Sequence, residues 1–261
     1  LLPWTPIILI CALLLQTGAN LANDFWDAQK GADAPGERLG PIRATSAGLL
    51  PPRSVFWGTV VVLGFATICG LPLVLLGGTP ILLIGIASIA AAVLYTAGPF
   101  PLAYLGLGDA CALLFFGIIP TAGTAYVLTL NWLPLAWFYG FIPGSYAVAL
   151  IAINNLRDRA GDARVGKRTL AVRFGAHFAR AEICFSLLLP VGLATALLPL
   201  PLTLRACLST FGIFLSLPTV VPILKGCDGR ELNLLLPRVS FAELVFCTAC
   251  ALLLQIHGLA S

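Results

Sequence analysis

The chain contains no methionine and only two histidines, and charged residues make up 10% of its 261 positions against 59% hydrophobic. So little charge excludes a soluble globular domain, in which about a quarter of residues are charged. The two histidines, His177 and His257, lie too far apart in sequence to suggest a metal or acid–base cluster, and each reads as an interfacial residue. Most of the eight cysteines are scattered through apolar stretches. The one close pair, Cys247 and Cys250, sits three apart on a predicted helix, where small packing residues are expected rather than metal or redox chemistry. Without a methionine there is no initiator, so an amino terminus that has been lost or trimmed is expected.

What the chain has in abundance is apolar sequence. Runs long enough to cross a hydrocarbon core of about 30 Å lie near 5–23, 54–76, 79–97, 110–128, 132–153, 180–199, 203–223 and 240–258, eight in all. They are hydrophobic all round and carry Gly64, Gly70, Pro72, Pro120, Pro143 and Pro218. That pattern suits bundled transmembrane helices rather than the roughly ten-residue alternating strands of a barrel. The expected fold is an all-α multi-pass bundle.

Basic residues orient it. Lys30, Arg38, Arg43 and Arg53 follow span one; Arg157, Arg159, Arg164, Lys167, Arg168, Arg173 and Arg180 follow span five; Lys225, Arg230 and Arg238 follow span seven. These 14 of the 15 basic residues share one face if there are eight spans, and Arg205 alone falls opposite. The positive-inside rule makes the loaded face cytoplasmic. The net charge of +4 then reflects topology and contact with anionic lipid, and no nucleic-acid partner is implied.

The stretch NLANDFWDAQKGAD, from Asn20 to Asp33, stands where span one ends. If the helix continues, Asn20, Asn23, Asp24 and Asp27 stack along one face at spacings of three and four. A matching cluster closes span five in NNLRDRAGDARVGKRT, with Asn154, Asn155, Asp158 and Asp162 at the same spacings. Both lie on the cytoplasmic side by the charge count, so they are expected to face one another across a cavity.

Carboxylates crowded near a membrane repel one another and need a counter-charge. Mg²⁺ takes oxygen ligands, keeps several waters, and binds one or two carboxylates together with substrate phosphates. Two such clusters would hold a diphosphate through Mg²⁺, with Lys30, Arg157, Arg159, Lys167 and Arg168 placed to neutralise the remaining charge. The expected ligand is a lipid diphosphate with its tail in the bundle. The plainer alternative is that these charges are solvated topology determinants. A channel or transporter would put polar groups nearer the midplane, whereas Glu182 and Glu243 both fall near the cytoplasmic interface and read as solvated there.

The two Asp-rich stretches, NLANDFWDAQKGAD and NNLRDRAGDARVGKRTLAVRFG, resemble the paired motifs of the UbiA-type intramembrane prenyltransferases. Within them, ERLGPIRATSAGLLPP (37–52) and YTAGPFPLAYLGLGDACALLFFG (95–117) are most similar to the branch acting on 1,4-dihydroxy-2-naphthoate in menaquinone or phylloquinone synthesis. The resemblance covers nearly the whole chain. It implies one transmembrane prenyltransferase domain over 1–261, a bundle of nine helices around a cavity open to lipid, and an active site on the cytoplasmic side. It also implies that the family's first helix precedes Leu1.

Carried onto this sequence, the resemblance makes Asn23, Asp24 and Asp27 the first metal–diphosphate motif, and Asp158 with Asp162 the second. Asn20 and Asn155 become supporting ligands. The reaction it implies starts with Mg²⁺-assisted departure of diphosphate from an allylic prenyl diphosphate, whether phytyl, geranylgeranyl or longer. The naphthoate ring then attacks the allylic cation and loses CO₂, giving a demethylated quinol.

Other positions follow. Tyr95 and Tyr104 flank the third connection, on the cytoplasmic side, where a phenol would orient diphosphate or stabilise a cation; an interfacial belt is the competing account for Tyr104. Asp109, in GLGD, matches an acidic position of the branch and would pair with a basic residue, orient naphthoate hydroxyls or cap span four. Many relatives carry a Lys or Arg in the loop that reads GPFPLAY here, which leaves Lys167, Arg157 or Lys30 to contact diphosphate. Gly31, Gly161 and Gly166 are expected to let the cytoplasmic loops turn. Acceptors such as homogentisate, 4-hydroxybenzoate or a chlorophyllide remain open, as does non-enzymatic prenyl-lipid binding or transport. The membrane is expected to be a bacterial plasma membrane or a thylakoid or plastid membrane.

Overall fold

A computed structural model describes residues 2–31 and 39–256. Asp33, Arg38 and His257 lie outside the described residues. The described chain is helical: α1 (Thr5–Gln29), α2 (Pro52–Gly77), α3 (Thr79–Leu94), α4 (Gly108–Leu113), α5 (Ile119–Thr129), α6 (Pro134–Tyr139), α7 (Phe141–Arg164), α8 (Leu170–Leu197), α9 (Leu202–Leu224) and α10 (Leu236–Ile256).

Among the described residues, seven stretches are long and apolar enough to cross a membrane. They match seven of the eight expected runs, since α4 and α5 join through a wide turn and α6 leads into α7. The eighth run is α3, only 16 residues long. Large apolar side chains point outward along these helices, as with Phe65 at 56% exposed and Leu75 at 87%. In water such a surface would be untenable, and against lipid it is the solvated face. The chain is an integral membrane protein.

The helices differ from the apolar runs where backbone chemistry overrides hydropathy. α1 continues past the expected end at 23 to Gln29, which brings Asp24 and Asp27 onto the helix. α3 stops at Leu94 rather than 97 because the chain folds back, and the N–H groups of Leu102 and Ala103 donate to the carbonyls of Leu94 and Tyr95 at 3.1 and 2.9 Å. These bonds satisfy acceptors that a helix end leaves open. Span six begins at Leu170, but Gly175 (φ 83°) interrupts it, a conformation glycine adopts without steric cost. Between α4 and α5 the helix widens into a π turn over Leu114–Ile118. Pro120 cannot donate to the carbonyl of Phe116 and its ring crowds that oxygen, and the wider turn relieves both.

The chain divides into two compact units. One comprises the described residues of Leu1–Gly108, Ala122–Leu133 and Gly161–Thr169. Here α1 packs along α2, and α3 packs on both. Gly18 lies so close to Leu63 that a β-carbon would overlap that side chain. A small apolar core gathers Leu73, Ile81 and Val127 with Trp4, Ile7 and Tyr126.

The second unit comprises the described residues of Asp109–Thr121, Pro134–Ala160 and Leu170–Ser261. Its core is larger, with Tyr146, Ile153, Leu156, Ile183, Leu187, Ile223, Val239 and Phe246 all fully buried. Gly212 of α9 admits Phe246 and Val191. The Ser216 hydroxyl donates across to the Leu187 carbonyl at 3.2 Å. Gly117 meets the backbones of Gly140 and Gly144 directly, the close approach that small residues permit between membrane helices.

Candidate active site

The first motif is built on the last turns of α1. Asp24 and Asp27 are buried at 6% and 5% exposed, Asn23 is half-buried, and Asn20 is exposed a turn earlier. Asp24 is held by backbone: the N–H groups of Ala44 and Thr45 donate to its two oxygens at 3.0 and 3.2 Å. A carboxylate has about four acceptor sites, so lone pairs remain. The Thr96 hydroxyl donates to Asn23 Oδ1 at 3.1 Å, and Lys30 Nζ donates to the Thr96 carbonyl at 2.6 Å. The segment after α3 is thereby tied to the end of α1.

Tyr104 ties it again. Its hydroxyl donates to Asp27 at 3.1 Å. Its backbone carbonyl accepts the Arg168 N–H at 3.1 Å, joining the segment after α7. Two ammonium groups stand over its ring, Lys30 Nζ at 4.4 Å from the centroid and Lys167 Nζ at 5.8 Å. Lys167 also reaches Asp162 at 3.5 Å. Burial first, then the charge and hydrogen bond of Asp27 and the charge of Asp162, push the Tyr104 phenol far above its ordinary range, so it remains a donor. Thus one carboxylate from each motif acts on the same phenol. Burial lowers the Lys30 ammonium, and the charge of Asp27 opposes that shift.

The other residues of the second motif lie in the second unit. Asn155 and Arg157 are buried at 8% and 4% exposed. Arg157 pairs with both Asp158 oxygens, from Nε at 2.9 Å and from Nη2 at 2.6 Å, and donates from Nη1 to Asn233 at 2.7 Å. The amide of Asn154 donates back along α7 to the Leu150 carbonyl. The three cations left unranked by sequence are therefore distinguished: Lys30 and Lys167 gather at Tyr104, and Arg157 is committed to Asp158 and Asn233.

Asp109 stands in the first turn of α4, buried at 7% exposed, and neither of its carboxylate oxygens has a hydrogen-bond partner among the described residues. The expected basic partner is not seen there. Tyr95 closes α3, and its hydroxyl faces Gly108, where a β-carbon would lie 2.9 Å from it. Gly31 and Gly166 have positive φ (72° and 74°) and turn the chain as expected. Gly161 does not, because it sits within α7. Sequence reasoning missed Thr96 and Asn233, which are neutral and belong to no charged pattern.

Among the described residues no three His, Cys, Asp or Glu side chains gather as a metal cluster. The donor set is carboxylate and amide oxygen, the chemistry of a hard cation rather than of zinc or copper.

Residues 2–227 match the UbiA prenyltransferase family. The 1,4-dihydroxy-2-naphthoate octaprenyltransferase of Mycobacterium tuberculosis is 35% identical over 252 residues, covering 95% of this chain and 84% of the relative. The Escherichia coli protein of the same name is 38% identical over 188 residues, 67% of this chain and 58% of its own. A chloroplastic 2-carboxy-1,4-naphthoquinone phytyltransferase of Arabidopsis thaliana is 30% identical over 235 residues, 77% of this chain and 55% of the relative. With paired Asp-rich helix ends in an all-helical membrane chain and a match over most of its length, the protein belongs to the UbiA prenyltransferase family.

Proposed function

We propose that the chain transfers a prenyl group from an allylic prenyl diphosphate to 1,4-dihydroxy-2-naphthoate, releasing diphosphate and CO₂ and leaving a demethylmenaquinol or demethylphylloquinol. The observation that carries the reading is Tyr104, whose hydroxyl is bonded to Asp27 while Asp162 bears on the same phenol and two lysines stand over its ring. Carboxylates and ammonium groups side by side suit a ligand that is itself an anion carried with cations. Relatives 33–38% identical to this chain over the aligned residues are named as 1,4-dihydroxy-2-naphthoate octaprenyltransferases, which supports the acceptor.

Mg²⁺ fits the donor set. It needs only one or two carboxylates, the rest of its shell being water and phosphate, so a protein cage of three ligands is not required. Asn23, Asp24, Asp27 and Asp162 are the donors the first unit would offer it and Asp158 the donor the second would offer, and Mg²⁺ bound to such carboxylates would offset the charge that grows on the departing diphosphate. Lys30 and Lys167 add fixed positive charge for the same group. Tyr104, remaining protonated, keeps Asp27 oriented. The apolar helices exclude water that would otherwise quench the electrophile. Asn20 and Asn155 supply amide groups beside the motifs, and Tyr95 and Asp109 are proposed to act at the substrates. The charge count supports an active site on the cytoplasmic or stromal side.

The test is turnover in liposomes with 1,4-dihydroxy-2-naphthoate, geranylgeranyl diphosphate and Mg²⁺, following CO₂ and diphosphate together. Equal release of both, lost on chelation, is expected. Release only with 4-hydroxybenzoate would overturn the acceptor, and saturable binding without release would overturn the enzymatic reading.

A further inference from the structure

Side chains at consecutive positions of a helix diverge by about 100° and do not face each other. Arg157 and Asp158 are consecutive in α7, yet they form a two-bonded pair with contacts of 2.9 and 2.6 Å. Helix geometry alone does not produce this, because the guanidinium must bend around the helix to reach its neighbour. The third side-chain contact, from Nη1 to Asn233 Oδ1 at 2.7 Å, holds the group in that bend. Asn233 belongs to the short 3₁₀ segment Gly229–Leu234 that leads into α10, 76 positions along the chain. Leu232 and Leu235 beside it are buried at 0% and 2% exposed, which fixes the segment in the core of its unit.

We propose that Asn233 is a positioning residue of the second Asp-rich motif, acting through Arg157 to set the orientation of the Asp158 carboxylate before substrate arrives. What Asp158 then binds rests on the proposed function. The chemistry suits an amide oxygen: a guanidinium offers five donors in a rigid fork and never loses its charge. With its Nε–Nη2 edge on Asp158, the opposite nitrogen needs an acceptor. In a site where the Arg157 side chain is 2% exposed, water does not replace it. Without that anchor the fork turns, and Asp158 turns with it.

Two measurements on the full chain test this. The first uses protein labelled with ¹⁵N-arginine in detergent micelles without metal, the Arg157 signal being assigned with Arg157→Lys. Asn233→Leu, similar in size but without an acceptor, is expected to speed exchange of the Arg157 Nε proton by about tenfold or more, while Asn233→Asp, which keeps the acceptor, does not. Asn233→Ala serves if the leucine variant fails to fold. Unchanged exchange in the acceptor-free variant would overturn the proposal.

The second is binding of geranylgeranyl thiolodiphosphate in the presence of Mg²⁺. Asn233→Leu is expected to weaken it about tenfold and Asn233→Asp by less than about threefold, with naphthoate affinity unchanged in both. Equal losses in the two variants would overturn the positioning role. Failure of the parent chain to bind the analogue would instead overturn the proposed function, and the metal-free exchange measurement would still decide whether Asn233 holds Arg157.

Discussion

The hydroxyl of Tyr104 donates to the carboxylate of Asp27 at 3.1 Å while the ring beneath it carries Lys30 at 4.4 Å. Polar and aromatic parts of one side chain thus serve different neighbours, and substitution separates them. Tyr104→Phe keeps the platform and removes the donor; it is expected to lower kcat about tenfold with little change in KM for prenyl diphosphate. Tyr104→Ala removes both and is expected to raise that KM as well. Steady-state kinetics on the two variants would show it, and a phenylalanine variant with full kcat would count against the role.

Alkaline stability gives an independent check. Burial, then Asp27 and Asp162, raise the Tyr104 phenol in the folded chain. The folded state therefore keeps a proton that the unfolded state releases, so the stabilisation is fully present below the ordinary tyrosine value of about 10 and is lost as pH rises above it. Thermal unfolding in detergent over roughly pH 9 to 11 is expected to fall more steeply for the parent than for Tyr104→Phe. Parallel curves would contradict the assignment.

Lys30 and Lys167 approach the same ring from different segments, and neither is replaced by a cation in the GPFPLAY loop. Each Lys→Ala change is expected to raise the KM for prenyl diphosphate by about three- to tenfold and leave the KM for naphthoate alone. Equal effects on both substrates would place the lysines elsewhere in the reaction.

Charge removal at the motifs should be more severe. Asp24→Asn and Asp158→Asn preserve shape and are expected to reduce turnover by about a hundredfold or more, with the helical circular dichroism of the parent retained. Near-normal turnover in either would remove that residue from the site.

Packing predicts a contrast between two glycines. A β-carbon at Gly117 would overlap the backbones of Gly140 and Gly144, whereas at Gly64 nothing lies within 4 Å. Gly117→Val is expected to destabilise the fold by about 1–3 kcal/mol or prevent it, and Gly64→Val to be near neutral. Detergent unfolding midpoints compare them.

Hydropathy made the spans legible because a membrane helix must be apolar along its whole length, whatever it packs against. It misjudged their ends. The termination of α3 depends on amides eight residues away, and the break in α8 on the single φ of Gly175. The spacing of Asn23, Asp24 and Asp27 was legible for a similar reason, since the periodicity is local. Between the two tyrosines of the third connection, however, sequence favours Tyr95, because an interfacial belt accounts equally well for Tyr104. The importance of Tyr104 comes from Asp27, 77 positions away, and from Lys30 and Lys167 on other segments. Thr96 and Asn233 left still less trace, because a neutral side chain whose partner lies 73 or 76 positions away makes no pattern in its own neighbourhood.

The contact of Gly117 with Gly140 and Gly144 acts as a datum for everything further along α7. Backbone touching backbone leaves no side chain to yield, so the axial position of α7 is fixed at that point. From Gly144 to Asp158 the helix runs unbroken, a distance of about 21 Å at 1.5 Å per residue. Inserting one residue between them would advance Asp158 by about 1.5 Å and swing it by about 100°. The height and bearing of a carboxylate in the second motif are thus measured off from three residues that have no side chain at all.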